Sequence, residues 1–524
     1  MPHTLEDPMT DPSPPVAHAT PPDVAVPTGG SSVATASKPQ APLLSGPPVL
    51  PKSAVVPLPP VVLPAMGVAG VAAAAMLPMD RPGIGWLLVG LVVAGAVYVV
   101  HRKTRAAKEF SPIRVLWVGA AIVLLGVGTF RTSGWLFVLC VLAACVAGSL
   151  AVVGRRSANG FAYDMLAVPL EALRSLPWIM RGTAKLRPRN MVKTGRVGIS
   201  VAISVTLLAV FVPLLAGADE AFARLLEGLV PEVNGGTSFR WVFAFVLVGM
   251  GTVGACYVLA APPKAAGSPR QPRRRIERVE WALPVGVLVV LFTVFVSVQF
   301  VTLFGGDAYV LQTSGLRYSD YARTGFHQLV AITVLTLAVI STALRWAPKE
   351  TAGDRAWLRG LLGGLSILTL VIVASALGRM WTYQQAYGFT VLRLLVEASE
   401  LWLGVLYLLM LVALIRLEQR WLPRAAIGTA VSGLVVLAVI NPEGFIADRN
   451  IDRFERTQSI DIAYLRTLSS DVVPTLTRLP EPIRACVLVG IREYDQDVWW
   501  EWNSARSYAR TLPYPTLSEP CSRF

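Results

Sequence analysis

The residues of this 524-residue chain that are best suited to chemistry fall on one stripe: Arg393, Glu397, Glu400, Gly404 and Tyr407, spaced by four, three, four and three. Those intervals put all five on one face of an α-helix. The stripe lies inside an apolar run, 391–415, so its charges need an explanation. A charge at the centre of a bilayer costs roughly 2.5–3.5 kcal/mol on insertion scales. One arginine cannot neutralise two carboxylates, which leaves one of them to hold a proton or bind a cation. The structural alternative is an intrahelical Arg393–Glu397 pair with Glu400 hydrogen-bonded to a neighbouring helix, since such pairs perturb carboxylates as readily as functional sites do. The sequence leaves both readings open.

Further polar groups are expected at the same level. Gln299 ends one apolar run, Asp320, Arg323 and His327 precede or open the next, and Arg379, Tyr383 and Gln384 precede the stripe. If their helices are neighbours, these residues line a polar cavity open to the exterior, with His327 able to titrate near neutral pH. The alternative for His327 is an interfacial ring hydrogen-bonded to a loop carbonyl. The usual catalytic signatures are missing: there is no GxxxxGK[ST] loop, no HExxH and no CxxC, and no GxSxG elbow between a strand and a helix. Neither a metal site nor a cofactor is expected. Five cysteines are too few and too scattered for a disulfide framework. Cys140, Cys145 and Cys256 read as small buried hydrophobes inside apolar runs. Cys486 and Cys521 fall in a segment expected outside the membrane, where a disulfide could persist; separation along the chain does not set geometry, so their pairing stays open.

The elements that must position these residues are membrane helices. A mean hydropathy of +0.55, with 54% hydrophobic and 15% charged residues, cannot build a water-soluble surface. Apolar runs long enough to cross about 30 Å of hydrocarbon occur at 61–79, 84–100, 113–130, 134–153, 197–216, 241–261, 281–304, 326–344, 357–377, 391–415 and 425–440. The fold class is therefore all-α, a polytopic transmembrane bundle of about eleven helices, or about ten if the weak first run or the short last one fails.

Every second connection is basic, as in Arg102, Lys103, Arg105 and Lys108, then Arg155 and Arg156, then 270–278, then Arg345, Lys349 and Arg355, then Arg416, Arg420 and Arg424. The intervening ones carry Asp80, Asp219, Glu220, Asp307 and Asp320. Basic loops stay in the cytoplasm, so the N-terminus is cytoplasmic and the C-terminus extracytoplasmic. The formal charge of +14 then follows from topology and requires no nucleic acid. Arginine in excess of lysine, with abundant Ala and Val, suits a GC-rich bacterial genome, and the expected location is the bacterial plasma membrane.

Residues 1–60 are rich in Pro, Ala, Ser and Val and read as a disordered cytoplasmic tail. Glu6, Asp7 and Asp11 argue against a signal peptide. Residues 61–440 form the transmembrane domain. The extracytoplasmic segment 441–524 has helical patterns at 451–468 and 482–494, and Trp499, Trp500 and Trp502 either rest it on the membrane helices or belong to a small helical domain. The stretch 161–186 reads as an amphipathic helix on the inner leaflet, and 219–230 is similarly amphipathic.

Several long strings carry a resemblance: LLAGADEAFARLL at 214–226, YARTGFHQLVAITVLTLAV at 321–339, MWTYQQAYGFTVLRL at 380–394, and NPEGFIADRNIDRF at 441–454 followed by IDIAYLRTLSSDVVPTL. Together they resemble a bacterial multi-pass membrane family known as a domain of unknown function, the 4153/4173 group. The resemblance covers roughly 80–490. It implies a many-helix membrane protein and transfers no catalytic residue.

Two classes of function remain. The first is a non-enzymatic membrane protein in transport, envelope sensing or scaffolding, surrounded by membrane lipids and taking a small ligand or a proton on the tenth helix. No inverted repeat is evident, which weakens the transport version. The second is a membrane-embedded enzyme working on a lipid-linked substrate at the outer face, with Glu397, Glu400 or Asp80 as a carboxylate base. Reporter fusions test the topology: fusions after Arg278 and after Phe524 should report opposite sides of the membrane.

Overall fold

In hydrocarbon a chain can cross only if each segment satisfies its own backbone, and helices do so. The computed structural model describes residues 57–104, 111–154, 161–185, 211, 235–260, 277–304, 326–491, 498–513 and 521, all within the unit Val56–Phe524. Its helices are α1 (Val62–Met76), α2 (Ile84–Thr104), α3 (Pro112–Phe130), α4 (Gly134–Val153), α5 (Phe161–Arg174), α6 (Leu176–Lys185), α7 (Gly235–Ala260), α8 (Arg278–Phe304), α9 (Phe326–Trp346), α10 (Ala352–Tyr387), α11 (Val391–Arg416) and α12 (Leu422–Ile440). A short C-terminal set follows: α13 (Pro442–Thr457), α14 (Ile462–Leu465), α15 (Glu481–Ile491) and α16 (Ser504–Thr511). No strand occurs among the described residues. Nine helices there, α2 to α4 and α7 to α12, are long and apolar enough to cross a membrane. The chain is an all-α polytopic helical bundle.

Two expectations change at their edges. The first span is shorter than 61–79, because the chain turns extended at Leu77 and leaves a helix of 15 residues, or about 22 Å. Helix α10 is longer than the run 357–377 expected there. It starts at a capping box formed by Thr351 and Asp354 and runs 36 residues to Gly388. That length, about 54 Å, exceeds the roughly 30 Å of a bilayer's hydrocarbon. The run 197–216 apart from residue 211, the loop 219–230 and most of the tail 1–60 lie outside the described residues.

The helices pack in two groups. In the first, α7 lies against α1, α2 and α5, while α3 pairs with α4. The stretch 161–186 forms two helices, α5 and α6, with Ser175 between them. The backbone of α5 presses on Gly254, where a Cβ would stand 2.6 Å from the Val168 carbonyl oxygen. The second group, α8 to α11, closes around Leu358, Leu362, Leu365, Ile372, Tyr407 and Met410. Helix α12 packs on α11 from one side and on α3 and α4 from the other. The far face of α8 shows Leu283, Val287, Val290, Val294 and Val298 exposed, an apolar stripe that suits lipid and not water. Cys145 is exposed on α4, not buried as expected, whereas Cys140 and Cys256 are buried.

A helix leaves its first N–H and last C=O groups unpaired, and the two ends of the bundle meet this need differently. At one end, basic and amide side chains serve the carbonyls. Arg359 donates to Leu414 and Ile415 at the end of α11, Arg424 to Gly154 after α4, and Gln419 to Leu344 near the end of α9. Positive charge there also complements the helix dipole.

At the other end, the C-terminal set is seated on the helix connections. Asp471 accepts from the Thr132 and Ser133 backbone N–H groups and the Ser133 hydroxyl, each at 2.9 Å. Asn503 donates to the carbonyls of Gly128 and Arg131 at 2.8 and 3.0 Å. The Ile84 N–H donates to the Trp502 carbonyl at 3.0 Å. Asn450 exchanges two hydrogen bonds with the Phe389 backbone, at 3.0 and 2.9 Å, and the Tyr464 hydroxyl accepts from the Val391 N–H at 2.8 Å. The connections α1–α2, α3–α4 and α10–α11 and the end of α12 therefore share one cap.

The cap also has its own core, including Ile446, Ile451, Leu465, Val472 and Val487, and Cys486 and Cys521 are joined in a disulfide with Cα atoms 5.6 Å apart. Its first helix ends at Thr457 because Gln458 turns left-handed at φ 55°, so the pattern 451–468 is broken. Trp499 and Trp502 are 60% and 41% exposed, and the backbone of this turn meets the start of α2 at Ile84 and Gly85. Asp471→Ala would strand four donors, counting the Ser469 hydroxyl. A loss of about 2–4 kcal/mol is expected, read as a lower melting temperature of the full chain in detergent, with Asp471→Asn losing less.

Candidate functional site

The site is built by a three-residue turn. Gly388 leaves α10 at φ 84°, and a Cβ there would stand 2.8 Å from Asn450 Oδ1. Thr390 caps α11 by accepting from the Arg393 N–H at 3.4 Å. Deeper in the pair, a Cβ on Gly404 would be 3.6 Å from Val373 Cγ1, so α10 and α11 run close together. This antiparallel seam sets the last turns of α10 beside the first turns of α11.

Arg393 turns away from the carboxylates. Its guanidinium lies 4.5 Å from the centre of the Tyr383 ring and donates to the carbonyls of Tyr387 and Gly388 and to the Tyr383 hydroxyl. The carbonyls that end α10 are the stronger claim on it, because they have no helical partner, and the ring adds a cation–π contact. The intrahelical Arg393–Glu397 pair is accordingly not formed. Glu397, half-buried, is instead held by Gln384, whose Nε2 donates to Oε2 at 3.0 Å.

One turn deeper, Glu400 is 1% exposed, and neither of its oxygens has a hydrogen-bond partner among the described residues. The bond from Glu400 to a neighbouring helix is thus also absent there. The Oε1 of Gln384, a residue fully buried, is likewise without a donor. Two turns below Glu400, the buried Tyr407 donates to the Thr333 carbonyl of α9 at 2.6 Å and sits beside the hydroxyls of Thr336 and Thr369. The seam therefore holds an excess of acceptors. A buried carboxylate with no partner is costly enough that it takes a proton or a cation.

Other expected residues fall differently. Gln299 is buried on α8, which packs against α10. Arg379 precedes Gln384 on α10, about 140° around the helix. Asp320, Arg323 and the side chain of His327 lie outside the described residues. Asp80 is on the α1–α2 connection, ion-paired with Arg81 and Arg240 at 3.5 Å each, and so is not part of the seam. Sequence reasoning missed the surroundings of Tyr407, for which threonines inside apolar spans, three apart at 333 and 336, were the available signal. It also missed Asn450 and Tyr464, which fix the turn from the cap. Among the described residues, no three His, Cys, Asp or Glu side chains cluster as a metal site would require.

Gln384→Leu removes the donor to Glu397 and is expected to cost about 1.5–3 kcal/mol. Arg393→Lys gives up the fork onto two carbonyls and the ring contact, for about 1–2 kcal/mol. Thermal unfolding of both variants in the same detergent checks these values.

No curated protein and no solved structure matches the chain. A family model described as a domain of unknown function (DUF4153) matches residues 119–479. That stretch runs from within α3 into the cap and includes the whole α10–α11 seam. The chain belongs to this family of proteins carrying a domain of unknown function (DUF4153).

Proposed function

We propose that this protein works without catalysis, in transport or envelope sensing, by exchanging a proton at Glu400 from the outer side of a bacterial plasma membrane. The observation that carries the reading is a fully buried carboxyl, without a partner among the described residues, in a helix apolar enough to span a bilayer. Bundle-facing ionisable groups at such depth are costly, and ion or proton pathways are where proteins keep them. Glu397 stands one turn nearer the cap, about 4.5 Å along the axis. Being half-buried and hydrogen-bonded, it supplies a step between the exterior and Glu400.

The orientation rests on charge and redox chemistry. Among the connections between spans, Lys and Arg are concentrated at the end opposite the cap, which supports a cytoplasmic position for that end and for residues 1–60. The cap, 441–524, carries the disulfide, and disulfides persist outside the reducing cytoplasm. Residues 61–440 are the transmembrane domain between them. The enzymatic alternative has less support, because Asp80 is ion-paired with two arginines and, among the described residues, the groups beside Glu400 offer no nucleophile with a base in hydrogen-bond reach.

Proton uptake by the purified full-length chain after a pH jump, followed with an indicator dye, tests this reading. Glu400→Gln should keep the abundance and melting temperature of the parent, because the amide mimics a neutral acid, and should take up about one proton fewer per chain. Uptake equal to that of the parent contradicts the reading, as does a Gln variant that no longer folds.

A further inference from the structure

We infer that the seam formed by Glu397, Glu400 and Gln384 is also a binding site for a monovalent alkali cation of sodium size, which competes with the proton at Glu400. The inference rests on the proton reading and adds a second ligand to it.

The hydrogen-bond inventory is the first argument. The orientation of the Gln384 amide is fixed by Glu397: with oxygen and nitrogen exchanged, two acceptors would face each other at 3.0 Å. Its Oε1 is therefore presented without a donor, as are both oxygens of Glu400. A single proton turns one of these three oxygens into a donor that can serve only one of the others. A hard cation has no directional demand and accepts several oxygens at once. One ion can therefore satisfy what one proton cannot.

Charge is the second argument. With Arg393 committed to the turn carbonyls and the Tyr383 ring, no ion pair among the described residues reaches either carboxylate. Once Glu400 gives up its proton, the carboxylate is unpaired in an apolar span, which favours an arriving cation. Ion size and valence narrow the choice. The cost of dehydrating an ion in a low-dielectric site rises with the square of its charge, which weighs against a divalent ion. Calcium also calls for six to eight oxygens, whereas two carboxylates and one amide provide at most five. The neighbouring backbone is helical and already engaged.

Depth supplies the third. Glu397 is half-buried and Glu400 buried, so the acceptors run inward in order from the cap end. An ion would leave water at Glu397 and lose the rest of its shell at Glu400.

The charged and titratable groups nearest the seam are Arg393, Glu397 and Tyr407 on α11, Arg379, Tyr383 and Tyr387 on α10, Arg453 and Arg456 on α13 beside the turn, and His327 at the head of α9; the cap-side half of α12 carries none. Of these, His327 could impose a pH dependence near neutrality on its own account, so His327→Gln is a necessary control.

The test is equilibrium binding of radioactive sodium to the full-length chain in lipid nanodiscs, at about pH 8 and about pH 5. Saturable binding of about one ion per chain is expected at the higher pH, weaker by about tenfold or more at the lower. It should vanish in Glu400→Gln, weaken in Glu400→Asp and Gln384→Leu, and persist with its pH dependence in His327→Gln. The inference is overturned if binding is not saturable, if Glu400→Gln binds as the parent does, or if equimolar calcium displaces the sodium. Proton uptake that depends on Glu400 without any sodium binding removes this inference and leaves the proton reading standing; loss of both signals removes both.

Discussion

Backbone hydrogen bonding in a solvent without hydrogen bonds is the constraint from which this structure follows. Inside each span the N–H and C=O groups pair with one another, so the polar side chains are left to serve the helix ends. At the basic end Arg359, Gln419 and Arg424 each reach a carbonyl that has no helical partner. At the opposite end Arg131 does the same for Ala438 and Val439, and the C-terminal set supplies most of the rest through Asp471, Asn503, Asn450 and Tyr464. The cap is thus a shared terminus for several hairpins as well as an appended segment with its own core.

The same accounting explains why the α10–α11 seam stands apart. The turn at Gly388 ends α10 with carbonyls that attract Arg393, and this withdraws the positive charge nearest to two carboxylates. Glu397 is compensated by an amide, and Glu400 by nothing among the described residues. Satisfying the backbone at the end of one helix therefore leaves a side chain unsatisfied in the next. That imbalance is the physical basis of the proposed proton and cation binding at Glu400.

Much of the fold was legible because lipid imposes a length and a composition on every crossing helix, and α2, α3, α4, α11 and α12 begin and end within a few residues of the apolar runs. The departures have local causes. Helix α1 stops early where the backbone turns extended at Leu77, and α10 outruns its apolar core because a capping box extends it at one end and a polar but helical stretch at the other. In the site, helical spacing was enough to line up Arg393, Glu397, Glu400 and Tyr407 on one face. It could not show that Arg393 would prefer carbonyls outside its own helix, since that depends on a left-handed glycine and on a cap about sixty residues downstream. Nor could spacing reveal that Gln384 faces Glu397, which follows from the closeness of the two helices at Gly404.

The central claim is that Glu400 is a buried carboxyl that exchanges its proton, and infrared difference spectroscopy of the full-length chain in lipid addresses it directly. In sodium-free buffer near neutral pH, the account predicts the carbonyl-stretch band of a neutral carboxylic acid in an apolar setting, shifted by deuterium oxide, diminished as the pH rises and missing from Glu400→Gln. A spectrum without that band, or one in which the Gln variant retains it unchanged, would contradict the account.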